Sequence, residues 1–93
     1  MKLLVFYVTE SHLNTVKNSI FSAGGGAYED FKNCSWEVVG KGQYQQGKAP
    51  LTKNKEYKVE ILCKKNIIDA VIEALKLTHP CKSPPYYIIT ANQ

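Results

Sequence analysis

Lys2-Leu3-Leu4-Val5-Phe6-Tyr7-Val8 is apolar on both of its alternating sets, Leu3, Val5 and Tyr7 on one and Leu4, Phe6 and Val8 on the other. A strand points successive side chains to opposite faces, so a strand apolar on both is covered on both. Its apolar part, Leu3 to Val8, is six residues, too short for a signal-peptide core, which needs roughly 7–15 apolar residues and a small-residue cleavage site. It also falls far short of the ~20 apolar residues of a membrane span, and no other stretch of the chain comes near that length. A buried central strand is the reading, and it predicts cover from two directions.

Working outward, Thr9 offers a helix N-cap and Glu10 suits the positive helix end. Leu13, Val16 and Ile20 recur at helical spacing, and Gly24-Gly25-Gly26 predicts a stop near Ala23. Cys34 to Val39 reads as a second strand with Cys34, Trp36 and Val38 on one face, and Gly40-Lys41-Gly42 is expected to break or bulge it. Gln43 to Lys55 reads as a polar connection. Glu56 to Cys63 alternates as a half-exposed strand, with Tyr57, Val59, Ile61 and Cys63 on one side. A hairpin around the connection would bring Cys34 and Cys63 near one another.

Asn66 and Asp69 then read as a cap and a first-turn acid. Ile68, Val71, Ile72 and Leu75 form a helical stripe, ended by Pro80. Tyr86 to Ile89 makes the last strand. The order β-α-β-β-α-β is the α+β, ferredoxin-like two-layer arrangement: a four-stranded antiparallel sheet with both helices on one face, expected as one domain over residues 1–93. Two helices cover only one sheet face, so the second face of the first strand calls for a symmetric oligomer. A chain this short buries only about 60–65% of its unfolded surface, and a partner subunit adds to a thin core.

The net charge is +4, and all twelve basic residues are lysines. Bidentate guanine readout and fork-like phosphate clamps favour arginine, so no nucleic-acid partner is expected. Lys41, Lys48, Lys53, Lys55 and Lys58 concentrate around one glycine-containing stretch, a solvated loop or a lure for a small anion. Cys34, Cys63 and Cys81 form neither a disulfide framework nor a zinc pattern, and reduced thiols in a cytoplasmic protein are expected.

Three groups of residues carry a family resemblance. They are Ala23-Gly24-Gly25-Gly26 with Phe31 and Cys34-Ser35-Trp36; Gly40-Lys41-Gly42-Gln43-Tyr44 with Ala49-Pro50; and Glu60, Ala74-Leu75 and His79-Pro80 with Pro84 and Tyr86. Their order resembles the inserted middle domain of the Nif-three-like (YqfO-like, NGG-interacting-factor-like) family, and short stand-alone versions of that domain resemble the chain too. The resemblance implies a PII/CutA-like fold and a homo-oligomer, a trimer with its sheets packed together inside. Some stand-alone versions carry an RTX-like structural toxin label, but the chain has no Gly-Gly-x-Gly-x-Asp repeat to support it. The family's two metal ions sit in flanking domains and are not carried over. Cys81, Lys82 and Ser83 stand where the family has Tyr-Glu-Glu.

The candidate sites follow. Lys41, Tyr44 and Lys48 lie where PII-like proteins place their mobile loop, and they are expected to meet a small anion by charge and an aromatic face. His79 is either a helix C-cap or, with Cys81, a pair of soft metal ligands. The glycine run follows a helix, so it caps that helix and does not cradle phosphate. Cys34 has no histidine placed to activate it, and no catalytic residue or cofactor is expected. The leading expectation is a non-enzymatic binding or regulatory module; metal handling through His79 and Cys81 is the alternative, and an enzyme of unknown reaction the third.

Overall fold

A computed structural model describes residues 1–92 of the chain. The elements run β1 (Lys2–Val8), α1 (Glu10–Ser22), β2 (Trp36–Tyr44), β3 (Thr52–Cys63), a 3-10 turn (Lys65–Ile67), α2 (Ile68–Thr78) and β4 (Tyr86–Thr90). The strands form one antiparallel sheet in the order β2-β3-β1-β4, with β1 flanked on both edges. The expected ferredoxin-like βαββαβ architecture is present.

The core lies between the sheet and the helices. Leu4, Phe6 and Val8 of β1 and Val59, Ile61 and Cys63 of β3 meet Leu13, Val16 and Ile20 of α1 and Val71 and Leu75 of α2. The helical stripes and the β3 alternation lie inward as their periodicity predicts, and of the two apolar sets of β1 it is Leu4, Phe6 and Val8 that face the helices. On the far side of β1, Val5 is also buried, whereas Trp36 and Val38 of β2 and Tyr87 and Ile89 of β4 stand exposed on the same face. No element of the chain covers that face among the described residues.

Thr9 occupies the cap position of α1 in extended geometry, but its hydroxyl faces Ser11 and does not cap the helix. At the other end, Gly24 and Gly26 take positive φ. Gly26 then threads the turn against the sheet edge. Its amide donates to the Leu62 carbonyl at 2.8 Å, and its carbonyl accepts from Cys34 N–H at 2.9 Å. A Cβ on Gly26 would lie 2.7 Å from the Cys34 carbonyl oxygen, so only glycine fits here.

Four expectations are corrected. β2 runs without a bulge through Gly40 and Gly42, each residue from Trp36 to Tyr44 facing one residue of β3. The polar connection therefore shrinks to residues 45–51. Asn66 is not the cap of α2; it lies in the 3-10 turn, and Ile67 holds the cap position, while Asp69 does sit in the first turn. Cys34 and Cys63 are not neighbours across the hairpin. Cys63 is sealed against the helices, whereas Cys34 precedes β2 and lines a recess with Leu3, Trp36 and Leu62 on the uncovered face.

The longer hairpin reshapes the molecule. β1 pairs with β3 only over residues 57–63, so residues 52–56 pair with β2 alone. Beyond the sheet, a two-stranded arm projects. The chain measures 48 × 25 × 22 Å, and its radius of gyration of 13.9 Å exceeds the about 12 Å of a compact chain this long.

Candidate functional site

The arm carries most of the lysines singled out above, and its register decides which of them share a face. Lys41 is paired with Lys55 and Gln43 with Lys53. With Val39, these residues lie on the side of the sheet that bears the helices. Gly40, Gly42 and Tyr44, paired with Glu56, Asn54 and Thr52, lie on the other side. Lys41 and Tyr44 therefore point to opposite faces of one ribbon, and Lys48 sits in the turn beyond both strands. The structure does not bring these three together within one chain.

It brings together a different set. Lys41, Lys53 and Lys55 line an open recess of about 560 Å³, with Val39 as an apolar wall and Gly40 and Asn54 completing it. Directly opposed like charges on a sheet repel by a few tenths of a kcal/mol, and Lys41 and Lys55 are so opposed. Lys55 has one acidic neighbour, Glu10 at the start of α1, at 3.4 Å. The other Glu10 oxygen accepts from the Tyr57 hydroxyl at 3.3 Å, and Lys55 Nζ lies 5.7 Å from the Tyr57 ring centre. Neither Lys41 nor Lys53 has an ion-pair partner among the described residues. Lys53 and Lys55 fall in the stretch that the sequence reads as a polar connection, whereas the structure carries β3 back through both. The Tyr57, Val59, Ile61 alternation extended backward by two steps sets them on its face.

On the opposite face of the arm, two missing side chains leave a notch. The Glu56 carboxylate folds over Gly42, where a Cβ would overlap it. Asn54 Oδ1 is buried beneath it without a hydrogen-bond partner.

His79 takes the C-cap position of α2 in extended geometry, as the following proline requires. Its ring has a different job from capping. Nδ1 accepts the Cys81 N–H at 3.0 Å, so the proton sits on Nε2, which donates to the Tyr7 carbonyl of β1 at 2.6 Å. The imidazole pins the end of α2 to the central strand. Both of its nitrogens are engaged, and a metal ion at His79 would have to displace one of these bonds. The Cys81 thiol is exposed. Among the described residues no group of three or more His, Cys, Asp or Glu is placed to hold a metal ion.

Burial pushes the Cys63 thiol up to about 11, an effect only partly offset by its hydrogen bond with the Gly26 backbone. It is a neutral core group at physiological pH. Among the described residues no helix is long and apolar enough to cross a membrane.

No family model matches the chain. Among curated proteins, the GTP cyclohydrolase 1 type 2 homolog of Mycobacterium leprae is 31% identical over 93 aligned residues, which take in 90% of this chain and 24% of that protein. Its Mycobacterium tuberculosis counterpart is 29% identical with the same coverage. The chain thus spans about a quarter of the length of the curated relatives it matches. Among solved structures, a Bacillus cereus protein related to NIF3 superposes with a TM-score of 0.91 at 22% identity, over 99% of this chain and 26% of that one. CutA1 from Pyrococcus horikoshii gives 0.80 at 13% identity, over 100% and 85%. The PII-like protein CutA from Nostoc gives 0.77 at 13% identity, over 99% and 82%. The chain is thus similar over most of its length to about a quarter of these longer proteins, and it has the ferredoxin-like fold that it shares with CutA.

Proposed function

We propose that the chain is a non-enzymatic, homo-oligomeric binding module, a trimer, that takes a small anionic ligand on its projecting arm. The observation that carries this reading is the uncovered sheet face. Trp36 and Tyr87 are each 59% exposed there, and Val38 and Ile89 nearly half exposed, around a β1 whose Val5 is already buried. Apolar side chains in that density on one face mark an association surface. The occupant we assign is a second copy of this chain, the uncovered faces of three copies packing round a threefold axis. The β3 row of that face alternates Glu56, Lys58 and Glu60, so a neighbouring copy can set its acidic side chains against a lysine.

The non-enzymatic part rests on what the residues offer. His79 is locked in structural bonds, and the His12 ring on α1 faces the Ser11 hydroxyl at 3.0 Å. The name of the mycobacterial relatives describes whole proteins about four times as long. A cyclohydrolase activity in them does not come to this chain by that likeness.

Light scattering coupled to size exclusion at micromolar concentration tests the assembly. A particle of three times the monomer mass is expected. Trp36→Glu should shift it to monomer without unfolding it, and a wild-type monomer overturns the reading.

A further inference from the structure

We infer that the helix-side face of the arm is a site for a small polyanion, one whose negative charges lie close together, as in an oligophosphate or a polycarboxylate. Its ligands are Lys41, Lys53 and Lys55. This rests on the reading of the chain as a binding module and names the chemistry and the residues of its ligand site.

The one-to-one register puts Lys41 opposite Lys55 and sets Lys53 two residues further along the same face. Cross-strand side chains of this kind start about 5 Å apart, so the ammonium groups can converge on one small molecule. A monoanion neutralises one of them and leaves the repulsion between the others. An anion with two or more charges relieves it. Lysine suits this task, because it acts as a mobile point charge and needs no planar fork. The recess of about 560 Å³ admits a small molecule, and Val39 supplies an apolar wall.

Glu10 gives the site its internal competitor. Its carboxylate reaches Lys55 at 3.4 Å, with both side chains more than half exposed, so an incoming anion exchanges one exposed ion pair for another. The site lies on the opposite side of the sheet from Trp36, Val38, Tyr87 and Ile89. A sheet-to-sheet assembly leaves it open.

Calorimetric titration at low salt with inorganic triphosphate and, separately, citrate tests the assignment. Lys41→Ala combined with Lys53→Ala should weaken binding by about tenfold, the sum of two exposed charge contacts. Lys65→Ala combined with Lys82→Ala removes the same net charge elsewhere and should change it by less than about twofold. Glu10→Gln should tighten it about two- to threefold by freeing Lys55. Binding of triphosphate alone assigns a phosphate ligand, and binding of citrate alone a carboxylate ligand. No binding of either, or equal losses in the two lysine pairs, overturns the site; an unchanged affinity in Glu10→Gln removes Lys55 from it. Light scattering on the same samples keeps the two readings apart. A trimer that binds neither anion overturns the ligand site on the arm and leaves the assembly standing, and a monomer that binds overturns only the assembly.

Discussion

On the helix side of β1, Leu4, Phe6 and Val8 are no more than 1% exposed; on the far side of the same sheet, Trp36 and Tyr87 stand 59% exposed. The strands are shared, and both faces carry large apolar side chains, although β3 turns Glu56, Lys58 and Glu60 to the open one. What differs is the cover. α1 and α2 close one face within the chain, and no described element closes the other. The comparison teaches that the two faces contribute to stability by different routes, one intramolecular and one available only to an assembly.

The largest effect should come from the covered face. Phe6→Ala is expected to cost about 3–5 kcal/mol in chemical denaturation, because the cavity opens in the middle of the packed layer. Val38→Ala, on the open face, should cost less than about 0.5 kcal/mol at concentrations where the chain is monomeric, and more as the concentration rises. Equal losses at the two positions would break the comparison.

His79→Ala comes next, at about 1–3 kcal/mol, because it leaves the Tyr7 carbonyl and the Cys81 amide without partners at the junction of α2 and β1. A neutral outcome in thermal melts would mean that water replaces the ring.

The smallest effect is confined to alkaline pH. Cys63 is neutral in the fold with its pKa raised from 9.0 to about 11, so the native state holds this proton more tightly than the unfolded chain. Its contribution is complete below pH 9 and is lost as the pH rises from about 9 towards 11. The difference in stability between wild type and Cys63→Ala should therefore shrink over that window. A constant difference would place the thiol in contact with solvent.

The covered face was legible because burial writes periodicity into a sequence. Leu13, Val16 and Ile20, and likewise Val71 and Leu75, recur where a helix turns one stripe inward. The two-sided β1 was legible for the same reason. The arm was not. A two-stranded ribbon exposed on both faces has no buried set to alternate against a polar one, so Gly40, Gly42 and the lysines imitate a loop. With the strand ended at Val39, Lys41 and Tyr44 were grouped by nearness in sequence, whereas an unbroken pleat separates them. Lys53 and Lys55 stand in the sequence as members of a lysine-rich loop, and the same unbroken pleat is what sets them beside Lys41. His79 was recognised at its helix end, but the partner of its ring lies 72 residues away on β1, a distance no local pattern spans.

One small bond near the sheet edge has a wider consequence. The Ala91 amide donates to the Met1 carbonyl at 3.1 Å, extending the β1–β4 pairing past the strands. The polypeptide therefore enters and leaves this fold at one doorway. A unit with adjoining ends can be spliced into a surface loop of a host chain, or lifted out of one, without moving a strand. Its arm and its uncovered sheet face then go wherever the host carries them.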